Sequence, residues 1–181
     1  MAAVPKLIVF DLDACLWLPE MFELEARPSS YDAALGGVRA GPDVVRLLPG
    51  AHKVLQQVLA QHERFCETRF AAASSTTDPA AAKRCLELLR VDATTTLDTL
   101  LSFREIYPGS KGRQHFPALK EQSGLSYDQM LFFDDCTFGD NCGDVARQCP
   151  GTVCVRTPQG LDEERFEAGL RAFASGDVGV V

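Results

Sequence analysis

Positive charge, closely spaced cysteine pairs and long apolar runs are all scarce in this sequence of 181 residues. Eighteen Lys and Arg stand against twenty-five Asp and Glu, a net charge of −7. That balance argues against a chain held to nucleic acid or to anionic lipid by bulk charge, so any anion must be handled by local chemistry. The seven cysteines run from Cys15 to Cys154 without a CxxC pair. This pattern fits neither a zinc ribbon nor a disulfide framework, and free thiols in a reducing cytoplasm are the expectation. No stretch approaches the roughly 18 apolar residues of a membrane span, so no membrane role is expected. The run Leu7 to Phe10 is too short for a signal-peptide core and carboxylates follow it at once. His52, His62 and His115 have no ligand spacing and are expected on the surface or in helices. Internal repeats and low-complexity tracts are absent too.

The composition, 46% hydrophobic and 24% charged, is that of a folded globular protein. The length suits one domain over residues 1–174 with a frayed tail over 175–181. Four short apolar runs, Leu7 to Phe10, Phe70 to Ala73, Met130 to Phe133 and Thr152 to Val155, read as buried strands, with a weaker fifth at Leu100 to Phe103. Helical stripes alternate with them, at Val54, Leu55, Val58 and Leu59 and at Cys85, Leu86, Leu88 and Leu89. The second of these helices has a start signal in Asp78 followed by Pro79. Later helices are expected over 114–122, 143–148 and 161–174. Alternation of this kind predicts an α/β fold, an open and mostly parallel sheet with helices on both faces and ligands beyond the carboxyl ends of the strands. The segment Leu18 to Asp43 breaks the alternation with three prolines and the Gly36-Gly37 pair. It reads either as a flap over the active edge or as a plain surface excursion.

The first run passes directly into Asp11-Leu12-Asp13, and the run Met130 to Phe133 ends in Asp134-Asp135. Carboxylates gathered at two strand ends repel one another unless a cation sits among them, and an all-oxygen donor set suggests Mg²⁺. The alternative is that each Asp only caps the turn or helix that follows. Ser74, directly after its strand, and Lys111, in the turn-rich run Tyr107 to Lys111, would supply a hydroxyl and an ammonium for phosphoryl oxygens.

The order Asp11-Leu12-Asp13, Ser74, Lys111, Asp134-Asp135 resembles the four motifs of the haloacid dehalogenase superfamily. Within it, Val9 to Asp13, Leu16-Trp17, Ala71 to Ser74, Arg104 to Lys111 and Phe132 to Asp135 resemble the magnesium-dependent phosphatase family. The resemblance implies a Rossmann-like three-layer fold with a minimal cap after the first strand. It further implies Asp11 as nucleophile forming an aspartyl phosphate, and Asp13 as general acid and base. Mg²⁺ would be held by Asp11, by the carbonyl of Asp13 and by one of Asp134 and Asp135, with Asp135 favoured. Ser74 and Lys111 would hold the phosphoryl group, beside Ser75. The implied substrates are phosphotyrosine on a protein or a phosphosugar, free or protein-bound.

Two departures bear on function. Ser75 stands where the family typically has an arginine that contacts phosphate or substrate, and Cys15 stands where it usually has threonine. They leave open a catalytically weak pseudo-phosphatase that binds a phosphorylated partner. Cys15 could also be an oxidisable thiol, although a small packing residue is the simpler reading. A phospho-accepting receiver domain uses similar groups but in another order, with its lysine last, whereas here Lys111 precedes the acidic tandem.

Overall fold

A computed structural model describes residues 3–181. In chain order the elements are β1 (Leu7–Phe10), β2 (Trp17–Leu18), β3 (Ser30–Asp32), β4 (Gly37–Ala40), β5 (Asp43–Leu47), α1 (Pro49–Ala60), α2 (His62–Phe65), β6 (Arg69–Ser74), α3 (Pro79–Leu88), α4 (Leu97–Leu100), β7 (Phe103–Ile106), α5 (Phe116–Ser123), β8 (Met130–Asp134), α6 (Asn141–Gln148), β9 (Val153–Arg156), α7 (Glu163–Ser175) and β10 (Gly179–Val180). Strands β10-β9-β8-β1-β6-β7 form one parallel sheet in that order, with β1 in the interior.

All four residues of β1 are fully buried, because both faces of this sheet are covered. That is why the strand reads as an unbroken apolar run rather than an alternating one. The two-residue period divides it all the same. Ile8 and Phe10, with Phe70, Leu131 and Phe133, pack on Val54 and Leu55 of α1, Leu86 of α3 and Phe166 of α7. Leu7 and Val9, with Ala71, Met130 and Phe132, pack on Phe116 and Leu119 of α5 and Val145 of α6. Helix α3 begins as the sequence predicts, with Asp78 accepting from the Ala81 amide and Pro79 in the first turn. The three-layer α/β architecture is therefore the expected one.

Register sets the active edge. Phe10 lies opposite Phe133 on one side and Ala72 on the other. The next residues, Asp11 and Asp134, and Ser74 shortly beyond Ala72, therefore come out at nearly one level.

Three expectations are corrected. The strand placed at Leu100 to Phe103 is Phe103–Ile106, because Thr96 and Thr99 cap each other and turn the preceding apolar residues into α4. In place of a frayed tail over 175–181, α7 ends at Ser175 and Gly179–Val180 pair in parallel with Val153 and Cys154. The irregular segment Leu18 to Asp43 is largely a second sheet, antiparallel in the order β2-β5-β4-β3 and reaching from Trp17 to Leu47. Gly37 is required there, since a Cβ on it would lie 2.5 Å from the Val45 carbonyl oxygen. Among the described residues no helix is long and apolar enough to cross a membrane.

Candidate active site

The carboxyl ends of β1 and β8 bring Asp11, Asp134 and Asp135 together, all buried, each with an oxygen within 4.8 Å of the others'. Burial raises the Asp11 carboxyl well above the ordinary carboxylate range, opposed by Lys111 and reinforced by Asp134 and Asp135. A buried cluster of this kind favours a hard cation bound through oxygen, which Mg²⁺ satisfies. The chain supplies one counter-charge of its own. Lys111 is 1% exposed, with its ammonium 2.5 Å from both Asp11 Oδ1 and Asp134 Oδ2. Burial alone would lower the lysine pKa, and the two carboxylates more than offset it, leaving the group charged.

Hydrogen bonds separate the tandem acids. Asp134 Oδ2 accepts from Lys111, and its Oδ1 accepts from the Cys136 amide and from Asn141 Nδ2. Asp135 accepts at Oδ2 from the Thr137 amide and lines the cavity. Capping the next turn is thus part of what both residues do, but Asp135 has the less committed carboxylate. The backbone is strained just past each acidic pair, with φ of 56° at Ala14 and 57° at Cys136. For residues with a Cβ this conformation costs about 1 kcal/mol or more.

Asp13 stands apart from the carboxylate cluster. Its Oδ1 accepts from Trp17 Nε1 at 2.6 Å and from the Met21 amide at 3.3 Å, both on the small-sheet segment. Burial raises its pKa, partly offset by those two hydrogen bonds. Glu20 lines the same cavity, and burial together with Asp13, Asp135 and Glu23 pushes its carboxyl up to about 7.

Lys111 opens the π-helical segment Lys111–His115, which leads directly into α5. Ser110 accepts from the Arg113 amide and donates to Asp144 of α6 at 2.6 Å, and Asp144 also accepts from the Gly112 amide. Gly112 has no room for a side chain, since a Cβ would lie 2.8 Å from the Asp144 carbonyl oxygen. Of the two places expected for His115, surface or helix, the structure gives the helical one: it ends the segment Lys111–His115 and is fully buried, stacked on Tyr107 with ring centroids 4.2 Å apart. Its nitrogens face the Ser74, Tyr107 and Ser110 carbonyls, which ties the serine and lysine loops together. Burial lowers its pKa from the usual histidine value, opposed by the backbone carbonyls that its nitrogens face.

Ser74 is buried, its Oγ accepting from the Thr76 amide. Ser75 also lines the cavity, but its hydroxyl donates to the Gly109 carbonyl at 2.8 Å and joins the two loops. Cys15 is buried, 3.5 Å from Thr157 Oγ1, and burial and the Asp11 charge push its thiol pKa upward. That environment suits packing and opposes thiolate chemistry. Asp11, Asp13, Ser74, Ser75, Lys111 and Asp135 thus share one cavity, while Asp134 lies behind it on Lys111. Sequence reasoning did not single out Glu20, Asn141, Phe22 or Phe138, which also line it. Phe22 lies in the 3-10 turn Met21–Glu23 with Glu20 just before it, Phe138 in the loop before α6 and Asn141 at the start of α6, and no local signal marks them.

Residues 3–176 match the model of the Acid Phosphatase family. The chain is 35% identical to human magnesium-dependent phosphatase 1 over 99% of this chain and 93% of that protein. It is 31% identical to a HAD-like hydrolase superfamily protein of Schizosaccharomyces pombe over 72% of this chain and 76% of that one. A Mg-complexed phosphatase domain from Bacteroides fragilis superposes with a TM-score of 0.60 at 18% identity, covering 86% of this chain and 37% of that longer one. CbbY from Rhodobacter sphaeroides, solved with phosphate, gives 0.55 at 14% identity, covering 92% and 99%.

Proposed function

Because the chain belongs to the acid phosphatase family and is a magnesium-dependent phosphatase of the haloacid dehalogenase superfamily, we propose that it hydrolyses phosphomonoesters in two steps through an aspartyl phosphate on Asp11. The observation that carries this reading is the buried Asp11 carboxylate, aimed from the end of β1 into a cavity shared with Asp13, Ser74, Lys111 and Asp135. Asp11, Asp135 and the backbone carbonyl of Asp13 would hold Mg²⁺, with Asp134 supporting the set through Lys111 and Asn141. When bound, the ion neutralises the acidic cluster and draws charge from the phosphoryl oxygens.

A carboxylate is a weak nucleophile, so positioning supplies most of what Asp11 contributes. Lys111 fixes its Oδ1, and Lys111 and the Ser74 hydroxyl would contact the phosphoryl oxygens as charge builds. Asp13, raised by burial, is placed to protonate the departing oxygen in the first step and to take a proton from water in the second. The Trp17 and Met21 donors hold its carboxyl at the mouth, where the small sheet would also shape access. The substrates are phosphotyrosine-type or phosphosugar-type esters. Free thiols throughout agree with a cytoplasmic setting.

Asp13→Asn tests the acid role. We expect a loss of about 10²- to 10⁴-fold in kcat on an alkyl phosphate, and a smaller loss on p-nitrophenyl phosphate, whose leaving group needs less protonation. Wild-type activity on the alkyl ester should fall as pH rises through the elevated Asp13 pKa, and that limb should be missing in the variant. Equal losses on both esters would remove Asp13 from the acid role. A second reading, a weak phosphatase that mainly binds phosphorylated partners, rests on Ser75, whose hydroxyl is engaged and which offers no guanidinium. Mg²⁺-dependent wild-type turnover at an ordinary enzyme's kcat, about 1 s⁻¹ or more, would reject it.

A further inference from the structure

The phosphoryl chemistry leaves one buried ionisable group unused. His115 closes the π-helical segment that Lys111 opens, so the histidine and the lysine stand at its two ends. Short π-helical stretches recur at functional sites. The ring is fully buried, and each of its nitrogens faces main-chain oxygen. Nε2 lies 3.0 Å from the Tyr107 carbonyl oxygen and 3.2 Å from that of Ser74, and Nδ1 lies 3.3 Å from that of Ser110. The Ser110 carbonyl belongs to the peptide bond that carries the Lys111 amide, and the Ser74 carbonyl also accepts from the Tyr107 amide at 3.1 Å. The ring therefore sits in the seam between the two loops that present the hydroxyl and the ammonium.

Three acceptors around two nitrogens set a proton count. A carbonyl oxygen only accepts, and a neutral imidazole carries a single N–H. Neutral His115 can donate toward Tyr107 and Ser74 or toward Ser110, and in either tautomer the other nitrogen turns a lone pair onto an oxygen. The imidazolium donates from both nitrogens and satisfies both loops at once. Its charge also gains from the face of Tyr107, whose ring lies within 10° of parallel and whose hydroxyl donates to Glu105. Burial and the Lys111 charge oppose the proton. The Lys111 ammonium is itself held by Asp11 and Asp134. On the elements packed about the segment, Asp144 of α6 accepts from Ser110 and Gly112, Cys149 at the end of α6 donates to the Gly112 carbonyl, and Glu105 of β7 accepts from Tyr107 and Gln122.

We propose that His115 is a positioning residue that acts through its proton: as an imidazolium it clamps the Ser74 and Lys111 loops at the spacing that receives a tetrahedral oxyanion, and as a neutral ring it releases one of them. The inference rests on the phosphatase reading above and deepens it. Protonation of the ring and binding of the anion then favour each other by the same factor. An anion held by Ser74 and Lys111 adds negative charge near the ring and raises its proton affinity. Binding is therefore tight on the acid side of the histidine range and weakens as pH rises through the transition. His115 reaches the anion only through the two loops, so its proton acts on anion affinity and KM before it acts on kcat.

Sulfate tests this without turnover, because the dianion keeps one charge between about pH 5 and 8, the range in which histidine titrates. Nitrogen-15 spectra of the histidine rings would be recorded on the wild-type chain in Mg²⁺, with and without sulfate, and His115 identified by elimination with His52→Gln and His62→Gln. Both His115 nitrogens should carry protons at the acid end, and sulfate should keep them protonated to higher pH. A ring with one proton throughout, or a titration that sulfate does not move, would overturn the proposal. Calorimetry reads the affinity side of the same coupling. Asp13 and Glu20, both raised by burial, titrate at the cavity too, so His115→Gln, which keeps them, is the reference. Across that pH range the sulfate affinity of the wild type should fall about tenfold more than that of the variant. Equal pH dependence in the two chains counts against the clamp. Should the variant fail to fold, the wild-type spectra decide alone. Turnover of phenyl phosphate is recorded on the same wild-type samples. Mg²⁺-dependent turnover without proton coupling removes the clamp alone, and coupling without turnover removes the hydrolytic reading while leaving the clamp.

Discussion

Asp11→Asn is expected to lower kcat on phenyl phosphate by at least about 10⁴-fold while the chain stays folded. The replacement keeps the size and shape of the side chain at the end of β1 and removes the charge that would attack phosphorus. The fold should survive because Asp11 already bears a burial penalty that a neutral amide escapes, and because the apolar stretch before it, Leu7 to Phe10, holds β1 in place. Mg²⁺ affinity should also fall, since one of three clustered carboxylates is lost. Assays at saturating Mg²⁺ separate the two effects. A variant that recovers wild-type kcat at high Mg²⁺ would make Asp11 a ligand only, and the nucleophile would have to be sought elsewhere.

Lys111→Met should have the largest effect on stability of any single change at the site. Its ammonium is the buried counter-charge for Asp11 and Asp134, both themselves buried. Breaking a buried ion pair by removing one partner typically costs about 3–5 kcal/mol, because the other charge is left uncompensated. The loss should be greatest with chelator present and should shrink on adding Mg²⁺, because the cation takes over part of the neutralisation. Thermal unfolding in both conditions reads this directly. Activity should fall by about 10²- to 10³-fold even where the fold is restored, since a donor to the phosphoryl oxygens has gone. Equal stability with and without Lys111 in chelator would contradict the electrostatic account.

The acids and the serine of the candidate site were legible in the sequence because each comes at or just beyond the end of a short apolar run, and a doubly covered parallel sheet writes its strands as such runs. Asp11, Ser74 and Asp134 follow from where those runs stop, and strand register alone brings them level. Lys111 was legible from its place in a turn-rich segment, but not the device that fixes it. The buried His115, stacked on Tyr107 and facing three carbonyls, gives no spacing signal. Leu100 to Phe103 misled because local capping by Thr96 and Thr99 outweighs a short apolar stretch. The small sheet was hidden because β2 to β5 are short, partly exposed and separated by tight turns at Gly36 and Gly41, both with φ of 63°. The mouth was least legible of all, since Glu20, Phe22, Phe138 and Asn141 come from separate irregular or helix-end positions and are brought together only by the tertiary fold.

The most direct measurement is acid quenching during turnover of phenyl phosphate, followed by mass spectrometry of the peptide that contains Asp11. The account predicts a phosphoryl group on Asp11 that appears within the first turnover, requires Mg²⁺ and is absent from Asp11→Asn. Product release at wild-type rate with no phosphorylated peptide at any quench time, or a phosphoryl group on another residue, would contradict it.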